Sequence, residues 1–467
     1  MCGSAGALLQ QKVWAPMESD SIFQPLQFHS LTLRNRILRA NIAGRFDNAD
    51  GSGNRARINW ELKFAKGGVG AIISAFAPVD VRGRIVPNYA AIDRDEFVPF
   101  WRELGRQVHE YDCKYIVQLA HGGRQRDIRG IEYAKGLSST DKPDPVHGFE
   151  AERMSVQDIQ DVTRSFANAA RRARESGLDG IEIHGANGYL FTQFLSSAIN
   201  DRDDDYGGPL ENRARLLLEV VQAIRAEVGR DFHLQVKLST TEYANVLNPW
   251  ADRGNTIEES IKVCQWLEAA EVDAIHVSSG SMFAHPRNPA GSFSVKEAAK
   301  TYDTILGSGR YAFRNYVLFH IWPFNALFGR LWRRQGLSLD RVEGANLSDA
   351  ATVKQAVSIP VLCTGGFQRA SLIRQALDKD QCDAVTIARP LVANNDLVTM
   401  FEQGIDQPPV PCTYCNKCLF NVLKNPLGCY DESRFSSHQE MLDQIMSVYD
   451  PPSFSSADND QIDRSSA

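Results

Sequence analysis

The sequence predicts an α/β chain folded as one (β/α)8 TIM barrel, with an insertion between the sixth and seventh strands and a cysteine-containing C-terminal extension. Three observations predict it. Short apolar runs rich in β-branched residues recur eight times, each is followed by a stretch of helical periodicity, and the two kinds alternate instead of forming blocks.

In chain order the runs are Arg36 to Ala40, Gly70 to Ser74, Tyr115 to Leu119, Gly180 to His184, Phe232 to Leu238, Ala274 to Ser278, Ile359 to Thr364 and Ala384 to Ala388. Ahead of the first, Phe23 to Leu33 alternates apolar and polar residues, as a hairpin sealing the barrel bottom would. Before the fourth run, Ser155-Val-Gln-Asp158 is a helix start, Phe166, Ala170 and Ala173 follow at helical spacing, and Gly177 closes the helix. Roughly 80 residues separate the sixth and seventh runs, more than a connection and its helix take, so about 285–345 is an insertion. Beyond Pro451, Ser, Asp and Asn dominate, which predicts disorder. The expected organisation is an N-terminal segment 1–22, a barrel 23–410, a Cys-containing extension 411–450 and a disordered tail 451–467.

Of 467 residues, 43% are hydrophobic, and 51 Lys plus Arg against 57 Asp plus Glu give a net charge of -6. That balance argues against bulk attraction to nucleic acid or to an anionic membrane and leaves a small neutral or anionic ligand as the simpler partner. Met1 to Pro25 lacks a basic then apolar leader, and no window approaches the ~20 apolar residues of a spanning helix, so a cytoplasmic location is expected. Nine cysteines are too sparse for a disulfide scaffold, yet four fall between Cys412 and Cys429.

Barrels of this type gather the active site where strands end at the C-terminal face. There, His184-Gly-Ala-Asn187-Gly-Tyr189 can present two hydrogen-bond donors and a phenol to one cavity. The chemistry that needs such a set is reduction of an alkene conjugated to an electron-withdrawing group. Hydride reaching the β-carbon builds negative charge on the substrate oxygen, which His184 and Asn187 would stabilise as fixed donors. The α-carbon then takes a proton from the opposite face, and the Tyr189 phenol, ordinarily near a pKa of about 10, is a matching general acid. The plainer reading of a lone His-x-x-Asn is a satisfied loop beside a packing aromatic.

The run from Asp179 through His184-Gly-Ala-Asn187-Gly-Tyr189-Leu to Asp201-Arg-Asp-Asp-Asp-Tyr206-Gly-Gly-Pro-Leu-Glu211-Asn212-Arg213 closely resembles the signature of the Old Yellow Enzyme, or NADH:flavin oxidoreductase, family. The resemblance extends over roughly Phe23 to Leu397. It implies FMN as cofactor, NAD(P)H as co-substrate and ene-reductase activity. Val117-Gln118-Leu-Ala-His121 is similar to the family's third-strand segment, which gives Gln118 the pyrimidine edge of FMN. Lys237 falls where the family places a cation beside flavin N1, a charge that would stabilise the anionic reduced ring. Gly365-Gly366 and Ala388-Arg389 match the phosphate loops after strands seven and eight, with Arg389 as counter-charge. One departure is Ala43, which stands where the family commonly has Thr or Cys near the flavin ring, so a contact that tunes flavin potential is expected to be missing.

Cys412, Cys415, Cys418 and Cys429 give C-x2-C-x2-C-x10-C, a metal-site spacing open to zinc or an iron-sulfur cluster. The trimethylamine dehydrogenase and 2,4-dienoyl-CoA reductase branch has a similar pattern holding [4Fe-4S]. No G-x-G-x-x-G unit follows Cys429, and an empty remnant is the competing reading. In the insertion, Asn315 to Gly329 is uncharged and aromatic, with Arg310, Arg314, Arg330, Arg333 and Arg334 at its flanks. Residues 311–334 are open to three roles: a peripheral membrane contact, a lid over the active site or an oligomer contact. The first two are favoured by its place after the sixth strand. Competing functional readings are an amine dehydrogenase or demethylase, a dienoyl-reductase-like enzyme with an iron-sulfur cluster, and a non-catalytic barrel that acts through its insertion in an interaction or at a membrane.

Overall fold

All eight runs form strands. The computed structural model describes residues 20–126, 133–243, 254–280, 285–307, 309–422 and 424–449, so the expected tail 451–467 and most of segment 1–22 lie outside the described residues. The barrel strands are β1 (Ile37–Arg39), β2 (Ala71–Pro78), β3 (Lys114–Ala120), β4 (Gly180–Gly185), β5 (His233–Ser239), β6 (Ala274–Ser278), β7 (Val361–Thr364) and β8 (Ala384–Ile387). Each pairs in parallel with the next, and β8 pairs with β1 through Val385↔Ile37 to close the barrel. The long parallel connections are helical, as the alternation of patterns requires.

Because side chains alternate along a strand, the barrel interior is stacked in layers. The lowest is apolar: Leu38, Ile73, Ile116, Ala274, Leu362 and Ala384 pack together with Leu26, Phe28, Leu31 and Leu33. Those last four belong to the hairpin Leu26–Gln27/Thr32–Leu33, which pairs antiparallel and plugs the bottom as the alternation predicts. The middle layer is polar and, apart from the half-buried Thr364, buried. Glu182 accepts from Gln118 Nε2 at 2.7 Å and from Gln235 Nε2 at 2.5 Å, and meets His276 Nδ1 at 2.6 Å. His276 Nε2 in turn lies 2.6 and 2.8 Å from the hydroxyls of Thr364 and Thr386. These groups are ion-paired or hydrogen-bonded, which is the condition for keeping charge inside a protein.

Two local features bear on the site. The second strand runs to Pro78, beyond the expected Ser74, because a register shift between Ile73 and Phe76 carries it onward. That bulge brings Phe76 to the barrel mouth. The helix Val156–Glu175 begins with a capping box in which Ser155 Oγ accepts from Asp158 N–H at 3.1 Å, and Gly177 follows it at φ +72°.

Outside the barrel wall, Arg39 of β1 is ion-paired with Glu61 of the helix Arg55–Lys66, and both side chains are fully buried. Burial pulls the Arg39 guanidinium down to about 9, so it depends on that carboxylate. Glu61→Leu would leave Arg39 without it and should cost roughly 3–5 kcal/mol. A shift of the denaturation midpoint well under 1 kcal/mol would show instead that Arg39 is satisfied elsewhere.

The insertion is three helices, Val295–Ile305, Ala312–His320 and Phe324–Gln335, before Leu347–Lys354 resumes the barrel pattern beside β7. The extension folds back along the barrel: Asn59 Nδ2 donates to Val448 O at 2.9 Å and Lys63 Nζ to Ser447 Oγ at 2.8 Å, both from the helix Arg55–Lys66. No helix among the described residues is long and apolar enough to cross a membrane.

Candidate active site

Three residues after β4 turn sharply. Asn187 has φ +61° and Gly188 φ +81°, so the chain reverses and Tyr189 becomes the N-terminal boundary of the short helix Leu190–Leu195. Asn187 N–H donates to Ser239 Oγ at 3.0 Å, and Asn187 O accepts from Gln125 Nε2 at 3.0 Å. The loop is held from both sides, and no side-chain hydrogen bond of Asn187 is formed among the described residues. His184, Asn187 and Tyr189 all line one cavity of about 390 Å³ at the barrel mouth.

His184 is buried, and Ala186 N–H points at its Nδ1 at 3.4 Å. Burial, then the nearby Lys237 charge, pulls its imidazole down to about 3. The ring is therefore neutral, and with Nδ1 accepting, Nε2 carries the proton. Tyr189 stands edge-on to Phe76 and to His184, with ring centroids 5.3 and 4.9 Å away. Burial pushes its phenol well above the ordinary tyrosine range, so it holds its proton at neutral pH.

Lys237, the strand-end cation of β5, is buried on the cavity wall and donates to Asn41 Oδ1 at 2.5 Å. Burial brings it down to about 8. Gly365, Gly366, Ala388 and Arg389 line the same cavity. Gly366 has φ +68°, a Cβ there would meet Val342 O at 3.1 Å, and its N–H makes no turn, loop or cap hydrogen bond. Only glycine fits that position without strain.

Two expected placements differ. Gln118 does not line the cavity: it belongs to the middle barrel layer, where its Nε2 is taken by Glu182 and its Oε1 is buried with no partner. Arg389 lines the cavity, but its guanidinium is hydrogen-bonded to Asn416 and lies over the Tyr414 ring at 5.5 Å, so it is turned toward the extension. Ala43 lies on the cavity wall, where it brings no hydroxyl or thiol. Residues the sequence reading missed are Tyr89, Gln125 and Asn41, all on the same wall. Asn41 directly follows the first run, which was a usable signal, whereas Tyr89 sits in an aperiodic loop after β2.

The four extension cysteines also converge, lining a small second cavity together with Arg389 and Arg434. Arg434 Nη1 is 3.1 Å from Cys429 Sγ. Burial raises the Cys412 thiol and pushes Cys418 up to about 12. Among the described residues no three His, Cys, Asp or Glu are close enough to hold one metal ion.

A model of the NADH:flavin oxidoreductase / NADH oxidase family matches residues 21–305, more than half of the sequence and the stretch that carries His184, Asn187, Tyr189 and Lys237. The chain belongs to this family. A dihydrouridine synthase model matches 329–449, which takes in β7, β8 and the cysteines. Among the relatives of this chain, the NADH oxidase of Thermoanaerobacter brockii is 28% identical over 88% of this chain and 57% of its own length. The NADPH dehydrogenase of Bacillus pumilus is 36% identical over 56% of this chain and 74% of its own length. A cinnamate reductase from Clostridium sporogenes is 26% identical over 86% of this chain and 56% of its own. The chain thus spans little more than half the length of two of these flavin oxidoreductases.

Solved structures share the fold. A 2-naphthoyl-CoA reductase bound to 2-naphthoyl-CoA superposes with TM-score 0.70 at 22% identity, over 88% of this chain and 56% of that one. An old yellow enzyme homologue from Zymomonas mobilis gives 0.62 at 21%, over 83% and 94%. Histamine dehydrogenase from Rhizobium sp. 4-9 gives 0.62 at 23%, over 83% and 48%.

Proposed function

We propose that this chain holds FMN at the barrel mouth and uses NAD(P)H to reduce an activated alkene, an α,β-unsaturated carbonyl or a related acceptor. One observation carries the reading: His184, Asn187, Tyr189 and Lys237 share a cavity on whose wall, among the described residues, no Asp or Glu stands. The residues fit FMN. Gln118 Oε1 is a buried acceptor that lacks a donor, Lys237 is a buried cation, and Gly366 is a backbone approach that a Cβ would close. Gln118, Lys237, Gly365, Gly366, Ala388 and Arg389 would hold the cofactor. When bound, FMN would supply hydride transfer between nicotinamide and acceptor in a ping-pong cycle.

The protein's own part is positioning and proton handling. His184 Nε2–H and the Asn187 amide hold the acceptor oxygen and stabilise the charge that grows there. Tyr189 gives its proton to the neighbouring carbon. Lys237, fixed by Asn41, keeps positive charge at the mouth. An amine substrate is disfavoured, because a cation would meet Lys237, Arg287 and Arg389 with no carboxylate among the described lining residues to offset them.

Cys412, Cys415, Cys418 and Cys429 favour a second cofactor, since four thiols face one cavity. They would hold a [4Fe-4S] cluster, a one-electron carrier. One experiment tests both cofactors: an absorption spectrum of anaerobically purified protein after FMN addition, with assays for iron and acid-labile sulfide. Flavin bands and NAD(P)H-driven enone turnover are expected, together with a broad cluster shoulder. A colourless protein would defeat the flavin reading, and flavin bands without iron would defeat the cluster alone.

A further inference from the structure

The insertion has two faces, and the active site uses only one. Phe319 and Trp332 turn inward, where they line the main cavity with Phe293; the Phe293 and Trp332 ring centroids are 4.3 Å apart. The outward face is not covered by any of the described residues. Trp322, in the turn between Ala312–His320 and Phe324–Gln335, is 79% exposed, and Phe313, Phe324 and Leu327 are 67%, 48% and 56% exposed. Phe324, Leu327 and Leu331 recur at helical spacing, so they form one apolar stripe.

Within the segment that carries that stripe the formal charges have a single sign. Residues 304–339 contain five arginines and no Asp or Glu, in a chain whose net charge is -6. Arg310, Arg330, Arg333 and Arg334 are exposed, and none forms an ion pair among the described residues. Four unpaired guanidiniums around a protruding Trp and Phe complement a surface that is apolar below and anionic above. An acidic protein surface would match the arginines but not the depth of apolar side chain.

We propose that the helix pair 312–335 docks this protein on an anionic lipid surface, seating Trp322, Phe313, Phe324 and Leu327 among the acyl chains while the arginines pair with headgroup phosphates. The helices lie at the surface and do not span it. Since their inner faces roof the cavity, the docked protein would take a lipid-soluble acceptor from the membrane side, a clause that rests on the ene-reduction reading. The docking does not rest on it.

The test is cosedimentation of the full chain with vesicles of phosphatidylcholine alone or mixed with phosphatidylserine. Binding to the mixed vesicles that weakens with salt is expected. Trp322→Ser with Phe324→Ser should lower affinity about tenfold or more, as expected for two bulky side chains withdrawn from lipid. Arg330→Gln with Arg334→Gln should remove most of the salt dependence. All four positions are exposed, and an unchanged circular dichroism spectrum and melting temperature confirm that the variants fold. Failure of the parent protein to bind the mixed vesicles overturns the proposal, as does equal binding by the variants. A lipid-free dimer that Trp322→Ser dissociates, with no vesicle binding, assigns the face to a second copy and also overturns it. Enone turnover in detergent-free buffer is read separately, so a failed activity and a failed docking are told apart.

Discussion

Tyr189→Phe should slow enone reduction by about 10²–10⁴-fold and leave reduction of the flavin by NAD(P)H close to the parent rate. The substitution keeps the ring, so the edge-on contacts to Phe76 and His184 that set its position survive. Only the hydroxyl is lost. Burial holds that hydroxyl above the ordinary tyrosine range, which makes it useless to a weak base and well matched to a carbon that becomes strongly basic as hydride arrives. Nicotinamide oxidation needs no proton from the protein, so the two half-reactions should separate cleanly in rapid mixing. Among the described residues Tyr89 is the one other phenol on the cavity wall, its ring 5.9 Å from that of Phe76. If the single variant retains enone turnover and Tyr189→Phe with Tyr89→Phe loses it, Tyr89 is the donor. Equal slowing of both half-reactions would mean that Tyr189 only shapes the pocket.

The barrel was legible because its eight strands are short apolar runs that tertiary structure had no reason to override. The bulge after Ile73 was not, since one extra residue leaves the hydrophobic pattern of the run intact. It matters to function, because it sends Phe76 to the barrel mouth. The fourth-strand loop was legible for a different reason: His184, Asn187 and Tyr189 carry chemistry and a family resemblance in the sequence itself, and Asn187 and Gly188 are the residue types that tolerate its positive φ values. The buried layer of Gln118, Glu182, Gln235 and His276 left a trace that was passed over, namely polar residues at every second position of otherwise apolar strands. Gln118 belongs to that layer, just inside the residues that line the cavity, with its Oε1 unpartnered. The insertion resisted reading because its helices are apolar on two faces, one packed under the cavity roof and one exposed, so no single periodic stripe marks where each begins.

Removing the two donors gives the second large effect. His184→Leu should lower enone turnover about 10²–10³-fold, and Asn187→Gly should do the same. Glycine is the proper replacement at 187, since φ is +61° there and a side chain other than Asn would add backbone strain to the loss of the amide. The double variant should cost less than the product of the two, because both groups serve one oxygen. The pH dependence follows from the same wall. His184, held neutral by burial first and by Lys237 second, would charge only near about 3, so the donors stay constant through the working range. Lys237 is the group that titrates: burial sets it at about 8, so it is cationic below that pH and neutral above. Flavin reduction should therefore hold level on the acid side and fall as pH rises through about 8. Lys237→Arg should remove that alkaline fall, because a guanidinium keeps its charge well past pH 10. An alkaline limb that persists unchanged in the arginine variant would assign it to another group and detach Lys237 from the chemistry.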